Sequence, residues 1–250
     1  LAFKYIPVHR FGIIKREMSL SENSSVGIKD IGEGGGPTDD TALVSWKSRI
    51  DASIAKSRKI RGANYVQLAT VSNNEARCRT VVFRGFQKLP SSHPASVECD
   101  NTSCVMKMIT DNRSQKVREV SMNSSAEMVW WFPKSSEQYR IRGELLFVGN
   151  GDFNLDEDKL LATARKEQWG NISDPAREQF FWEKPDVDYT GTPNVPSGGR
   201  DHGGNILSPP DSFLLMLLLP QRVDYLRLGD NFRQVDNRVS DDWVMTRANP

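Results

Sequence analysis

The sequence predicts a mainly β domain with flanking helices, closed as a barrel or a sandwich. Three observations carry that expectation. Short runs rich in β-branched and aromatic residues recur along the chain, separated by Asn, Asp, Gly and Pro turn signals. Segments with helical periodicity are few and short, the pattern of an antiparallel closed sheet. With 250 residues, 38% of them hydrophobic and 26% charged, the chain can bury a full core.

Taken in order, Trp46, Ile50 and Ile54 fall at helical spacing behind the capping residues Asp39, Asp40 and Thr41, so a first amphipathic helix begins the fold. Residues 65–71 read as a strand, 72–75 as a turn and 78–86 as the partner strand of a hairpin. Residues 88–103, with two prolines and several serines, read as a surface insertion. A strand at 105–110 turns through 111–114 into a short helix ending near Val120. Strands follow at 127–132 and 139–148. A helix over 156–169 is acidic in its first turn and basic near its end, as the helix dipole prefers. Pro175 opens another helix through Phe181, because its missing N–H is tolerated in a first turn. A Gly- and Pro-rich loop over 185–210 is of a length that is usually functional or disordered. Strands at 212–219, 222–229 and 231–238, and a last one around Trp243, close the chain. The apolar run 213–219 is bounded by Pro209-Pro210 and Pro220 and is too short to span a bilayer, so a buried strand accounts for it.

The expected organisation is a flexible N-terminal arm or targeting segment over 1–40 and one folded domain over 41–250. Residues 1–17 are basic among apolar residues, a composition permitted in an organelle transit peptide; upstream sequence before a start at Met18 is the alternative. Three scattered cysteines, Cys78, Cys99 and Cys104, point to a reducing compartment. The expected location is therefore cytoplasmic, or mitochondrion or plastid if 1–17 belong to a transit peptide. A net charge of +1 argues against nucleic acid as a partner, and no run approaches the roughly 18 apolar residues of a membrane span. His9, His93 and His202 are too dispersed for a metal site.

The chemistry concentrates in three places. The strand Arg79-Thr80-Val81-Val82-Phe83-Arg84 sets Arg79, Val81 and Phe83 on one face and Thr80, Val82 and Arg84 on the other. Guanidiniums on a rigid strand suit a phosphate or another oxyanion, because their forks offer paired donors. Ser114 and Lys116 stand where a helix begins, a place for a phosphate to meet backbone N–H groups and a cation. Gln138 follows the aromatic strand Trp130-Trp131-Phe132, and its amide offers both donor and acceptor to a heterocycle edge. Each has a plainer reading as well: solvated arginines, an exposed turn residue, aromatic core.

The order of these motifs, Arg-Thr-Val-Val-Phe-Arg-Gly-Phe at 79–86, Thr-Asp-Asn-Arg-Ser-Gln-Lys at 110–116, then Trp-Trp-Phe and Glu-Gln-Tyr-Arg-Ile-Arg-Gly through 143, resembles the pyridoxamine 5'-phosphate oxidase-related family of FMN-binding split barrels. It resembles most the Alr4036-like branch. The resemblance runs from about Trp46 to Pro250 and implies a Greek-key split barrel that forms a homodimer, with FMN in each of two clefts between subunits. It further implies that Arg79, Thr80, Val81, Val82, Phe83 and Arg84 line the cofactor, that Ile109 and Thr110 end a strand beside it, that Ser114, Gln115 and Lys116 form the phosphate turn, and that Gln138 meets the ring. Arg84 takes the place of a Lys that reaches substrate in the vitamin oxidases, with Arg233 and Arg177 as further candidates for a phosphorylated small molecule.

Departures qualify the activity. Gln115 stands where many relatives have Arg, Leu226 where they have Trp, and Phe232-Arg233-Gln234 does not reproduce their substrate-binding Arg-x-His pair in register. The implied function is oxidation of pyridoxamine or pyridoxine 5'-phosphate to pyridoxal 5'-phosphate with oxygen as acceptor, the flavin carrying the chemistry without a side-chain nucleophile. An FMN-dependent reductase of another small molecule and a non-catalytic flavin- or heme-binding protein are the alternatives, since fold does not fix function.

Overall fold

The computed structural model describes residues 42–149, 159–189, 191 and 193–250. The expectations for the N-terminal arm, and for the first turn of the helix expected from Asp156, fall outside these residues. Ser45 caps helix α1 (Trp46–Ser57) by accepting from the Ser48 N–H, and α1 buries Trp46 and Ile50 against the sheet. Strands β1 (Tyr65–Ser72) and β2 (Glu75–Val82) form the expected hairpin, with Asn73 and Asn74 both at positive φ, as a tight hairpin turn requires.

A small hairpin of β3 (Glu98–Cys99) and β4 (Thr102–Ser103) precedes β5 (Met106–Asp111). The expected surface insertion is thus partly core, since Leu89, Ala95, Val97 and Cys99 are buried. Helix α2 (Gln115–Met122) leads into β6 (Ser125–Phe132) and β7 (Glu137–Val148). Helices α3 (Lys159–Gly170) and α4 (Asp174–Glu178), the latter extended by a 3-10 turn at Gln179–Phe181, precede β8 (Phe213–Arg227), β9 (Phe232–Val239) and β10 (Asp242–Ala248). Among the described residues no helix is long and apolar enough to cross a membrane.

Two strands expected over 212–219 and 222–229 are one fifteen-residue strand, β8. Pro220 does not break it because the register with β7 shifts there: Arg142 pairs with Arg222 and Gly143 with Pro220. Gln221 is the extra residue of a bulge, where proline is tolerated. The close approach requires Gly143, since a Cβ there would lie 2.0 Å from the Leu219 carbonyl oxygen.

The strands run β10-β9-β8-β7-β6-β1-β2, with β5 on the other side of β8. Closure comes just after β2. The Arg84 N–H donates to Lys107 O, the Lys107 N–H to Gly85 O and the Gln87 N–H to Val105 O, each at 2.8 Å. Gly85, at φ +104°, permits the bend that turns the chain onto β5. β1, β2, β5, β8, β7 and β6 therefore close into a barrel that is sealed at 84–87 and splits where β2 and β5 diverge. Its interior is apolar, with an aromatic ladder of Phe83, Trp130, Phe132, Tyr139 and Tyr225 at centroid spacings of 4.6, 4.9, 5.6 and 4.9 Å. Each such buried ring contributes roughly 1.5–3 kcal/mol from burial. The antiparallel barrel and flanking helices agree with the split barrel expected from the sequence.

Candidate functional site

Where β2 and β5 part, a cleft of about 520 Å³ opens between the strands, α2 and the α4 segment. The alternation of β2 places its side chains as expected. Phe83 turns inward onto Trp130, while Thr80, Val82 and Arg84 face the cleft, with Val81 also on its wall. Ile109, Thr110 and Asp111 line it from β5 and Lys116 from α2.

The floor carries two cations without an ionic partner among the described residues. Lys116 Nζ donates to the hydroxyls of Thr110 and Ser114 at 2.9 and 3.1 Å, and burial, then the nearby Arg79 charge, lowers its pKa. Among the described residues Arg84 makes no side-chain hydrogen bond and its buried Nε has no partner, and burial lowers its pKa. Ser114 is the N-cap of α2, yet its hydroxyl makes no capping bond and donates instead to Asp111 O at 2.7 Å. The first N–H groups of α2 therefore keep free donor capacity beside Lys116. A buried guanidinium edge, an ammonium held only by hydroxyls and a helix N-terminus together fit a phosphorylated cofactor.

The acid on this floor is neutralised locally. Arg113 grips Asp111 through Nε and one terminal nitrogen at 2.9 and 2.7 Å, and its other terminal nitrogen donates to Trp182 O at 2.9 Å. The hydrogen bond to Asp111 raises the Arg113 pKa. Arg113 thereby ties the far wall (Gln179, Phe180, Trp182, Glu183, Pro185) to the turn before α2. The sequence reading missed this wall. Its one local signal was the aromatic run Phe180-Phe181-Trp182 before Pro185.

Four expected residues stand elsewhere. Arg79 lies behind the cleft, because its guanidinium pairs with buried Glu119 on α2 at 2.8 Å and donates to Thr70 Oγ1 at 2.5 Å. Arg177 is 1% exposed, donates through its terminal nitrogens to Asp174, Gly198 O and Ile172 O at 2.7–2.9 Å and does not line the cleft, so it is a structural arginine. Gln138 pairs in register with Trp131 and Leu226 on the outer face of the sheet. Arg233 shares that face, opposite Leu226, and grips Asp224 at 2.8 and 2.9 Å. Gln115 is exposed at the start of α2. A cavity of about 570 Å³ between α2 and β7 is larger than the cleft, but it is lined by Val117, Val120, Leu145, Phe147 and Leu214 and by no cation.

The loop after Pro185 is held in place over its described part. Its 3-10 turn (Ser197–Gly199) receives Arg177, and Trp169 Nε1 donates to Leu207 O at 2.6 Å.

Three comparisons bear on this geometry. The family described as pyridoxamine 5'-phosphate oxidase, FMN-binding domain, matches residues 43–149. A curated relative, pyridoxine/pyridoxamine 5'-phosphate oxidase 2 of Arabidopsis thaliana, is 28% identical over 221 residues, spanning 84% of this chain and 99% of that protein. A crystal structure of a pyridoxamine 5'-phosphate oxidase-related, FMN-binding protein from Nostoc punctiforme is 31% identical, covers 84% of this chain and all of that one, and superposes with a TM-score of 0.68. PhzG from Burkholderia lata, solved with tetrahydrophenazine-1-carboxylic acid, shares the fold at 15% identity and a TM-score of 0.62, over 87% of this chain and 98% of that one.

Proposed function

Because the chain belongs to the pyridoxamine 5'-phosphate oxidase-related, FMN-binding family, we propose that it holds FMN in the β2–β5 cleft and oxidises pyridoxamine or pyridoxine 5'-phosphate to pyridoxal 5'-phosphate with oxygen as acceptor. The observation that carries this reading is the pair of cleft cations, Arg84 and Lys116, neither of which has an ion pair among the described residues, while Asp111 in the same cleft is taken by Arg113. Bound FMN would supply the hydride acceptor and pass electrons on to oxygen.

The chain's own residues position and neutralise. Lys116, the hydroxyls of Thr110 and Ser114, and the first N–H groups of α2 would hold the cofactor phosphate, with Gln115 beside them. Arg79, fixed by Glu119, would add positive potential from behind. Main-chain groups of Thr80 to Phe83, with Ile109, would lie along the ring. Arg84 would face the substrate, whose orientation against the flavin is the protein's main task. Gln138 and Arg233 lie on the opposite face of the sheet, so they would reach a flavin only from a second copy of the chain. Such a homodimer agrees with the two shared clefts that the family resemblance implies. The resemblance to the Alr4036-like branch rests on the motif at residues 79–86.

One observation favours a second reading, an FMN-dependent reductase of another small molecule. Arg177, a candidate for the substrate's phosphate, is consumed inside the fold. An anaerobic visible spectrum of the FMN-loaded protein mixed with pyridoxine 5'-phosphate decides between them. Bleaching of the flavin band within seconds, reversed by air, supports the oxidase. An unchanged spectrum with FMN firmly bound sinks it.

A further inference from the structure

Two serines stand one turn apart on the buried face of α1, and they meet different surroundings. The Ser53 hydroxyl donates to Glu137 at 2.7 Å and shares a hydrogen bond with the Tyr139 hydroxyl at 2.9 Å. Ser57 is 1% exposed, and its hydroxyl has no partner among the described residues. A buried hydroxyl without a partner costs about 1–3 kcal/mol, so such groups are rare and point to a bound molecule. Ser57 lines a cavity of about 270 Å³ between the end of α1 and the end of the barrel. Arg84 in the β2–β5 cleft is in the same situation, a buried polar group without a partner on a cavity wall.

The walls of this cavity are held in place. On the barrel side they are rings: Phe83 and Trp130 with centroids 4.6 Å apart at 54°, and Trp130 stacked on Phe132 at 4.9 Å. On the other side Ile54 of α1, with Ile60 and Ala63 of the turn that follows, completes an apolar lining. That turn is fixed by its own bonds. The Ile60 N–H donates to Ser57 O and the Tyr65 N–H to Gly62 O, both at 2.9 Å, with Gly62 at φ +79°. Trp130 Nε1 donates to Ala63 O at 2.7 Å, which spends the one donor of that ring. Arg58, the one charged residue of the lining, is exposed at the rim. Strand β2 separates this cavity from the cleft, since Phe83 turns inward while Val82 and Arg84 face the other side.

We propose that this cavity binds a small neutral aromatic molecule with one hydrogen-bonding group, a phenol or a ring of that size. Its ring would lie against Phe83, Trp130 and Phe132, and its polar group would pair with the Ser57 hydroxyl. An apolar cavity of roughly 150 Å³ already takes up benzene, so this one has room for a ring and a substituent. Tilted and edge-to-face contacts suit an aromatic guest, and the lining offers both ring faces and ring edges. A lone water needs two to four polar partners, and the interior side chains supply one. A charged guest would lose its hydration without a buried counter-charge, so a neutral ring fits better. The site does not depend on whether the β2–β5 cleft binds flavin.

The test is calorimetric titration of the full chain with phenol and with benzene, with and without added FMN, in the wild type, Ser57→Ala and Ala63→Leu. Phenol should bind the wild type at one site with a dissociation constant on the order of 1 mM, and benzene about tenfold more weakly. Both affinities should be the same with and without FMN. In Ser57→Ala the preference should vanish, phenol falling to the affinity of benzene. In Ala63→Leu, whose larger side chain fills the cavity, neither ring should bind; if that variant does not fold, Ser57→Ala decides alone. A wild type that takes up neither ring overturns the proposal and leaves the cavity to water. So does a preference for phenol that survives in Ser57→Ala. Phenol binding seen only with FMN overturns it too, because it would place the ring on the flavin.

Discussion

Two arginine-rich regions flank the α4 segment, and they use the same side chain in opposite ways. At the junction of α4 with the Ser197–Gly199 turn, Arg177 and Arg200 converge on Asp174, and the terminal nitrogens of Arg177 also donate to two backbone carbonyls, its buried Nε having no partner among the described residues. The hydrogen bonds from Arg200 and then Arg177 hold Asp174 down to about 2. In the cleft, Arg84 and Lys116 have hydroxyls or nothing as partners, and burial lowers the pKa of each. The difference separates a cation that holds the fold from one kept for a ligand. The terminal nitrogens decide it: both of those of Arg177 are used inside the fold, and a donor so used is not left for a ligand.

Removing each kind of charge sharpens the contrast. Arg177→Ala should cost about 3 kcal/mol of unfolding free energy in denaturant melts, because the Gly198 and Ile172 carbonyls lose their donor inside the core. FMN affinity of the folded fraction should stay at the wild-type value. If that affinity collapses instead, the distinction between structural and ligand-facing arginines fails.

Asp236 is an intermediate case, buried like Arg177 but with neutral partners: Gln234 Nε2 at 2.9 Å and the Trp46 N–H at 3.3 Å. Burial raises its pKa from 3.8 to about 6. Below about pH 4 it is protonated in both folded and unfolded chains and carries no penalty. As pH rises towards 6 the unfolded chain gives up this proton first, so stability falls, and above 6 the loss is complete, on the order of 3 kcal/mol. Asp236→Asn should flatten that part of the pH profile of the melting temperature. A parallel profile in the variant would contradict the assignment.

Effects in the cleft should be smaller on stability and larger on ligands. Lys116→Ala should weaken FMN binding by tenfold or more, about 1.4 kcal/mol, while the unfolding midpoint barely moves. Arg84→Ala should leave flavin bound and raise KM for the phosphorylated substrate; loss of flavin instead would move Arg84 to the cofactor. Arg77→Ala serves as the reference for a surface pair. Its contact with Glu75 at 2.6 Å is solvent-exposed and should be worth no more than about 0.5 kcal/mol in the same melts.

What could be read from the sequence follows the range of the interactions. Period-two alternation placed the hairpin of β1 and β2 and set Thr80, Val82 and Arg84 on one face, because those signals are local. Lys116, Ile109 and Thr110 came to the cleft, with Ser114 bonded to Lys116 behind them, because a strand end and a helix start adjoin along the chain. Arg79 did not, since its partner Glu119 lies 40 residues away on another element. Trp182 and Glu183 reach the cleft through packing that the local aromatic run before Pro185 does not by itself reveal, and Pro220 looked like a strand end only because the bulge that accommodates it depends on Gly143 across the sheet.

The most direct test of the cleft is FMN affinity by quenching of flavin fluorescence in the wild type, Lys116→Ala and Arg233→Ala under dilution to monomer and at high protein concentration. The account predicts that Lys116→Ala weakens binding at every concentration, while Arg233→Ala matters only where two copies associate. Tight wild-type binding that Lys116→Ala leaves untouched would contradict it and move the flavin out of the β2–β5 cleft.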